Sequence, residues 1–159
     1  MRAPFQVLIL PYRKLFNGII SYCIFRRSDF KIWQGIAGGG EENETPIESA
    51  RRESNEEAEV NPNNNFIQLQ TKTSVPVSHF AKAKYWQTDI YVIPEYSFGV
   101  EIGNDNIILS HEHTEHKWVS YEEAISLLFF ESNKTALWEL NTRLCKMTPC
   151  NSPPPAISE

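Results

Sequence analysis

The sequence predicts an α+β protein with a mixed sheet flanked by helices, and three observations carry that prediction. Two β-rich runs, residues 5–12 and 19–26, are joined across Asn17-Gly18, a pair that tolerates the positive φ of a tight hairpin. Two segments open on Ser/Thr-x-x-Glu patterns, Thr45 to Glu48 and Ser120 to Glu123, which start helices by satisfying orphan N–H groups reciprocally. Strands and helices then intermix without regular alternation, which argues against a simple repeated βαβ architecture.

Between the hairpin and the first helix lie a short apolar piece, residues 33–37, and three glycines, Gly38 to Gly40. The first helix follows from Thr45, and the run Asn61-Pro62-Asn63-Asn64-Asn65 ends it and turns the chain. Residues 66–73 and 82–93 read as strands, the second because Tyr85, Gln87, Asp89 and Tyr91 alternate with Trp86, Thr88, Ile90 and Val92. Pro94, Gly99 and Gly103 suggest a loop leading to strands near residues 107–109 and 115–119. A helix from Ser120 to about residue 130 and a last one over residues 133–146 complete the fold. Leu137, Leu140 and Leu144 share one face of the last helix.

With 159 residues, 41% hydrophobic and 22% charged, the chain has the size and mixture of one globular domain with one core. That domain is expected over residues 1–147. Four of the ten prolines fall within 148–159, where apolar periodicity is missing, so a disordered Pro-rich tail is expected there. Fifteen basic residues against twenty acidic ones leave a charge of −5. No basic excess exists to hold a nucleic-acid polymer or an anionic membrane. Cys23, Cys145 and Cys150 are too few and scattered for a disulfide framework or a four-ligand zinc site. Apolar runs such as residues 7–10 are far short of the ~20 that a bilayer span requires. Residues 1–12 make a poor secretory signal, with one basic residue and an early Pro4. A reduced, cytoplasmic protein is the expectation.

Eight of the twenty acids lie within residues 38–60. Thr45 is placed to cap the helix there, Pro46 suits its first position, and Glu48 completes the capping box. At ~100° per residue, Glu53, Glu56 and Glu57 share an arc of roughly 100° beside the small stripe of Ile47, Ala50, Ser54 and Ala58. Glu53 and Glu57 repel at i, i+4 by ~0.2–0.5 kcal/mol, toward the negative end of the helix. Arg52, four residues before Glu56, relieves part of this. A solvated acidic face is the plain reading of such charge. A hard divalent cation, which prefers carboxylate and water oxygens, is the functional one. The three preceding glycines favour the second, because glycine lets backbone approach a ligand closely.

This segment resembles the Nudix box, G-x5-E-x7-R-E-U-x-E-E-x-G-U, where U is a bulky aliphatic residue. Gly38, Glu44, Arg52, Glu53, Glu56 and Glu57 occupy the six fixed glycine or polar positions, and Val60 the last aliphatic one. Two positions depart: Ser54 replaces an aliphatic residue and weakens the packing stripe, and Glu59 replaces the late glycine. Asn61, which tolerates the left-handed region, is the expected helix exit instead. The resemblance continues through Ile24 to Arg27 and Trp33 ahead of the glycines, and through residues 110–119 with Glu122, Glu123 and Ala124. It covers nearly all of residues 3–146 and implies an α/β/α sandwich with a mixed central sheet.

The family resemblance also implies a chemistry: hydrolysis of a nucleoside diphosphate linked to another group, with Mg²⁺ or Mn²⁺. Glu53 and Glu57 would be metal ligands, with Glu56 a further ligand or water acceptor. Arg52 would orient these carboxylates, itself held by Glu44. Glu112 is the candidate for the additional glutamate that the family draws from a distant loop, as metal ligand or general base. The catalytic set would be Glu53, Glu56, Glu112 and Arg52, and the metal set Glu53, Glu56, Glu57 and Glu112. Ala37 and Gly38 would offer backbone groups to substrate, or the Gly38 carbonyl to the metal. Arg26 would contact substrate phosphates or form a surface salt bridge, and Arg2 could reach in from the first strand. Trp33, Phe80, Tyr85 and Trp86 are stacking candidates, with Trp86 and Trp118 expected in the core. His111, His113 and His116 read as exposed loop histidines rather than a zinc site. The pattern looks most like the bacterial dATP or dihydroneopterin-triphosphate pyrophosphohydrolase branch. Its substrate would be a small nucleotide or pterin triphosphate. Dinucleoside polyphosphates or nucleotide sugars are the alternative substrates, and a non-catalytic nucleotide sensor the alternative role.

Overall fold

The computed structural model describes residues 1–103 and 106–147; the expected tail over 148–159 lies outside the described residues. Among the described residues, seven strands form one mixed sheet. Strands β1 (Arg2–Lys14) and β2 (Ile20–Arg27) make the hairpin, with Lys14 opposite Ile20. Gly18 turns it at φ 80°, where glycine avoids the Cβ clash. Two short strands, β3 (Trp33–Gln34) and β4 (Ile36–Glu41), precede helix α1 (Pro46–Ala58). Strands β5 (Phe66–Pro76), β6 (Val92–Glu101) and β7 (His113–Val119) follow, then α2 (Tyr121–Leu127) and α3 (Glu131–Met147).

β1 organises the sheet. Its flank along β6 is parallel, from Gln6 opposite Glu95 to Tyr12 opposite Glu101. Its other flank pairs antiparallel with β4 up to Ile9 and with β2 from Tyr12 onward. Pro11, which has no N–H to donate, falls where the partner changes from β4 to β2. β5 closes one side by pairing with β6, and β7 and β3 both pair with β2.

The pleat sends alternate residues to opposite faces. Leu8, Leu10, Tyr12, Tyr22 and Ile24 pack with Ala124, Leu128, Leu137, Leu140 and Leu144 under α2 and α3. Val7, Ile9, Cys23, Phe25, Phe98 and Val100 pack with Ala50, Ala58 and Val60 under and beyond α1. The result is the expected sandwich, and among the described residues α1 is the one α-helix on its face of the sheet.

The middle of the chain departs from expectation. Of the run 82–93 only Val92 and Ile93 are strand, as the start of β6; Val77–His79 and Ala81–Tyr85 are 3₁₀ turns. The strand lies instead where Pro94 and Gly99 suggest a loop. Pro94 is tolerated because it pairs only with Ser74 of β5, pairing with β1 beginning one residue later. Gly99 leaves room for Leu140, whose Cδ1 stands 2.5 Å from where a Cβ would sit. Residues 107–109 form no strand, and α2 ends at Leu127 rather than near residue 130. Trp86 is half-buried outside both cores, its Nε1 donating to the Arg2 carbonyl at 2.9 Å. Trp118 is half-buried against the α1-side core, with the Arg13 guanidinium 4.0 Å above its ring.

Candidate active site

Helix α1 starts as its sequence dictates. Thr45 has extended backbone, its hydroxyl accepts the Glu48 N–H, and the Glu48 carboxylate accepts the Thr45 N–H at 2.8 Å. The exit differs from expectation, since Glu59 itself takes the left-handed conformation at φ 51°, ψ 31°. Its N–H bonds the Asn55 carbonyl and the Val60 N–H bonds that of Ser54, so the helix ends in register without a glycine. Ser54 is fully buried in the stripe, and its hydroxyl has no partner among the described residues.

Arg52 is the centre of the carboxylate cluster. Its Nε and one terminal nitrogen donate to Glu44 at 2.7 and 3.0 Å. The other terminal nitrogen donates to Glu53 at 2.9 Å and Glu56 at 3.0 Å, and the Gly39 carbonyl takes the last bond at 2.8 Å. All five guanidinium N–H donors are thereby used. These bonds raise the Arg52 pKa and, through Arg52, hold Glu44 below the usual carboxylate range. Glu53 goes the other way: burial, reinforced by the charges of Glu56 and Glu57, pushes it up to about 6.

The three glycines serve clearance. None of them has positive φ. A Cβ on Gly38 would lie 2.0 Å from the Glu53 carboxyl carbon, one on Gly39 would overlap the Arg2 guanidinium, and one on Gly40 would enter the Phe5 ring. Backbone does come close here, and the groups it approaches are the protein's own Glu53 and Arg2.

The distant loop is tied to the end of α1. Ser110 N–H donates to the Glu57 carbonyl at 3.0 Å, and the Ser110 hydroxyl to the Glu57 carboxylate. The Ser28 N–H and hydroxyl both donate to the Glu112 carbonyl at 3.0 Å. Glu112 is thus held between β2 and α1. His113 is buried rather than exposed, at 6% exposure and 5.4 Å from the Phe25 ring. Its Nδ1 is 3.6 Å from Glu57, beyond a hydrogen bond, neither ring nitrogen has a partner among the described residues, and burial lowers its pKa.

These elements border a cavity of about 700 Å³. Arg2, Ala37, Gly38 and Glu112 line it; Arg52, Glu53, Glu56 and Glu57 do not, though the Glu53 carboxyl lies against Gly38. Arg26 does not: it pairs with Glu115 at 3.0 Å, and its neighbour Arg27 lines the cavity. The pleat explains the exchange, because Phe25 and Arg27 share the α1 face, whereas both alternating sets in β2 are apolar and leave the sequence silent on which faces inward. Of the aromatic candidates, Phe80 lines the cavity with Arg2 5.0 Å over its ring, Trp33 packs against the α3-side core, and Tyr85 is exposed. Gln34 also lines it, as do Gln6, Glu95 and Asn133, none of which the sequence singled out.

The donor set suits a hard divalent cation: Glu53, Glu56, Glu57 and Glu112 offer only carboxylate oxygen, and a cation offsets the burial and mutual repulsion that raise Glu53. Among the described residues, no three His, Cys, Asp or Glu side chains converge as a ready cage. Arg52 bridges Glu53 and Glu56 in their place.

A family model for the NUDIX domain matches residues 20–138. The chain belongs to the Nudix family. A curated relative is the dihydroneopterin triphosphate diphosphatase of Haemophilus influenzae, 28% identical over 134 residues, covering 83% of this chain and 84% of that protein. A Nudix hydrolase of Listeria monocytogenes superposes with a TM-score of 0.82 and 41% identity, over 91% of this chain and 97% of that one. The Caenorhabditis elegans Ap4A hydrolase shares the fold at a TM-score of 0.70 and 20% identity, over 91% and 99% of the two chains. The Nudix chain is therefore a hydrolase of phosphoanhydride bonds. Among its described residues no helix is long and apolar enough to cross a membrane.

Proposed function

We propose that this Nudix hydrolase cleaves a (deoxy)nucleoside or pterin triphosphate to the monophosphate and pyrophosphate, in the cytoplasm, with Mg²⁺ or Mn²⁺. The carrying observation is the Arg52 network, which gathers Glu44, Glu53 and Glu56 onto the carbonyl of Gly39, a residue that lines a nucleotide-sized cavity. The similarity to a dihydroneopterin triphosphate diphosphatase supports this substrate class. Nudix hydrolases generally use a divalent cation. Here Glu53, Glu56, Glu57 and Glu112 would hold it, and when bound it neutralises phosphate charge and acidifies water.

The chain's own residues supply the rest. Arg52 fixes the rotamers of Glu53 and Glu56, so their oxygens are set before substrate arrives. Arg2 and Arg27, on the cavity wall, meet phosphate charge that the acidic helix alone would repel. Glu112 accepts the proton of the attacking water or completes the ligand set. The pH–rate profile of Glu112→Gln separates these roles: a base leaves by erasing the acid limb, a ligand by raising the metal requirement.

Glu53→Gln and Glu57→Gln are each expected to lower turnover at least ~100-fold, about 2.7 kcal/mol of barrier. Nucleoside and pterin triphosphates, dinucleoside polyphosphates and nucleotide sugars are to be incubated with Mg²⁺ and the products weighed by mass spectrometry. Release of pyrophosphate from a triphosphate is the expected result. Binding without turnover, or preferential cleavage of a dinucleotide, refutes it.

A further inference from the structure

Across the sheet, register aligns Gly39 of β4, Gln6 of β1, Glu95 of β6 and Thr73 of β5 in one row. All four line the cavity. At about 4.8 Å per strand the row spans ~14 Å, from the Arg52–Glu53 end to the far wall. Phosphates have a place at the first end, beside Gly39, Arg2 and Arg52. Two strands along the row, ~10 Å from Gly39, stands a side chain that the proposed hydrolysis does not use: Glu95, a carboxyl only 7% exposed. No ion pair reaches it among the described residues. Gln34 at 7% exposure and Asn133 at 4% are buried in the same lining. The Gln6 amide is oriented, since its oxygen accepts from Arg2 at 2.8 Å, leaving its N–H groups as donors.

We infer that Glu95 reads the heterocycle of the substrate, accepting a ring N–H and the adjacent exocyclic amine of a 2-amino-4-oxopyrimidine edge, the edge that guanine and pterins share. A carboxylate offers two parallel acceptors, and this edge presents two parallel donors. Adenine presents one donor and one acceptor and leaves a carboxylate oxygen facing a lone pair. Burial pushes the ligand-free carboxyl up to about 7 against the side-chain hydrogen bond of Gln6; the ionised form, with its two acceptors, is the one that pairs this edge, and the two donors of the edge stabilise that form. Such a buried polar group rejects a ligand that fails to pair it.

The inference rests on the reading that a triphosphate occupies this cavity, and the test separates the two. Values of kcat/KM are measured for GTP, a pterin triphosphate and ATP, with wild type and Glu95→Gln. Wild type is expected to favour the guanine and pterin substrates over ATP by at least ~10-fold. Glu95→Gln, which replaces an acceptor by a donor, is expected to shrink that preference ~10–100-fold, as for the loss of a bidentate pair. The ratio within one variant is insensitive to a uniform loss of folded protein. An unchanged ratio overturns the inference. If no triphosphate is hydrolysed, the proposed function fails, and equilibrium binding of GMP against AMP decides the inference alone. Equal affinity in wild type overturns it, and a GMP preference that Glu95→Gln abolishes upholds it. Should that variant not fold, the wild-type comparison decides.

Discussion

Gly38→Ala separates activity from stability in this Nudix site. The added Cβ would stand 2.0 Å from Cδ and 2.2 Å from Oε2 of Glu53. Ordinary carbon contacts lie near 3.5–4.0 Å, so the carboxyl must retreat by about 1.5 Å. Backbone strain is not the issue, because Gly38 does not have positive φ. What moves is the far end of a flexible side chain, at the cost of one 2.9 Å bond from Arg52. The stability loss is therefore expected at or below about 1 kcal/mol, a Tm shift of roughly 2–4 °C for a chain of this size. A catalytic group displaced by ~1 Å costs on the order of 100-fold. Turnover at saturating Mg²⁺, followed by pyrophosphate release, should thus fall at least ~100-fold while the melting curve barely moves. Turnover within ~3-fold of wild type refutes the clearance argument. A Tm loss beyond ~10 °C refutes its other half, that glycine here makes room for a site rather than for a core.

Two further variants test how the elements are held. Burial alone would raise the Glu139 carboxyl, but donors from the Thr71 hydroxyl, the Gln70 and Thr71 N–H groups and Arg143 outweigh it and hold it below the usual range. The stability this gives is complete above the ordinary carboxylate pKa and is lost as pH falls through the lowered one. Glu139→Gln should cost about 2 kcal/mol at pH 7 and flatten acid denaturation below pH ~5, read by urea unfolding across pH; a parallel pH dependence in wild type and variant would contradict this. Glu59→Gly relieves a left-handed residue of ~1–2 kcal/mol and loses ~0.4–1 to backbone entropy, so a Tm gain of roughly 1–4 °C is expected by calorimetry.

Short-range chemistry was readable in the chain: the Thr45–Glu48 box, the Asn17-Gly18 hairpin and the leucines of α3 all depend on neighbours within a few residues. The six box positions were visible for the same reason. The errors arose where distant contacts decide. Residues 82–91 alternate like a strand but pair with none, while β6 hides its character because Pro94 has a strand on one side only and Gly99 yields to Leu140. Arg27 rather than Arg26 reaches the cavity because of pleat parity, which a doubly buried strand does not reveal. Glu95 was invisible because its meaning comes from Gln6, 89 residues away in the chain and adjacent in register.

The end of α1 has one more consequence. Its Ala58 carbonyl, orphaned by the left-handed turn at Glu59, accepts from Ile108 N–H, and the Glu57 carbonyl from Ser110 N–H. The loop that carries Glu112 thereby completes the helix, and the helix holds the loop. Neither segment closes alone, so hydrogen exchange at Ile108 and Ser110 should track the last turn of α1. Glu57 and Glu112 then belong to one cooperative opening unit, and whatever frays the helix disarms both carboxylates together.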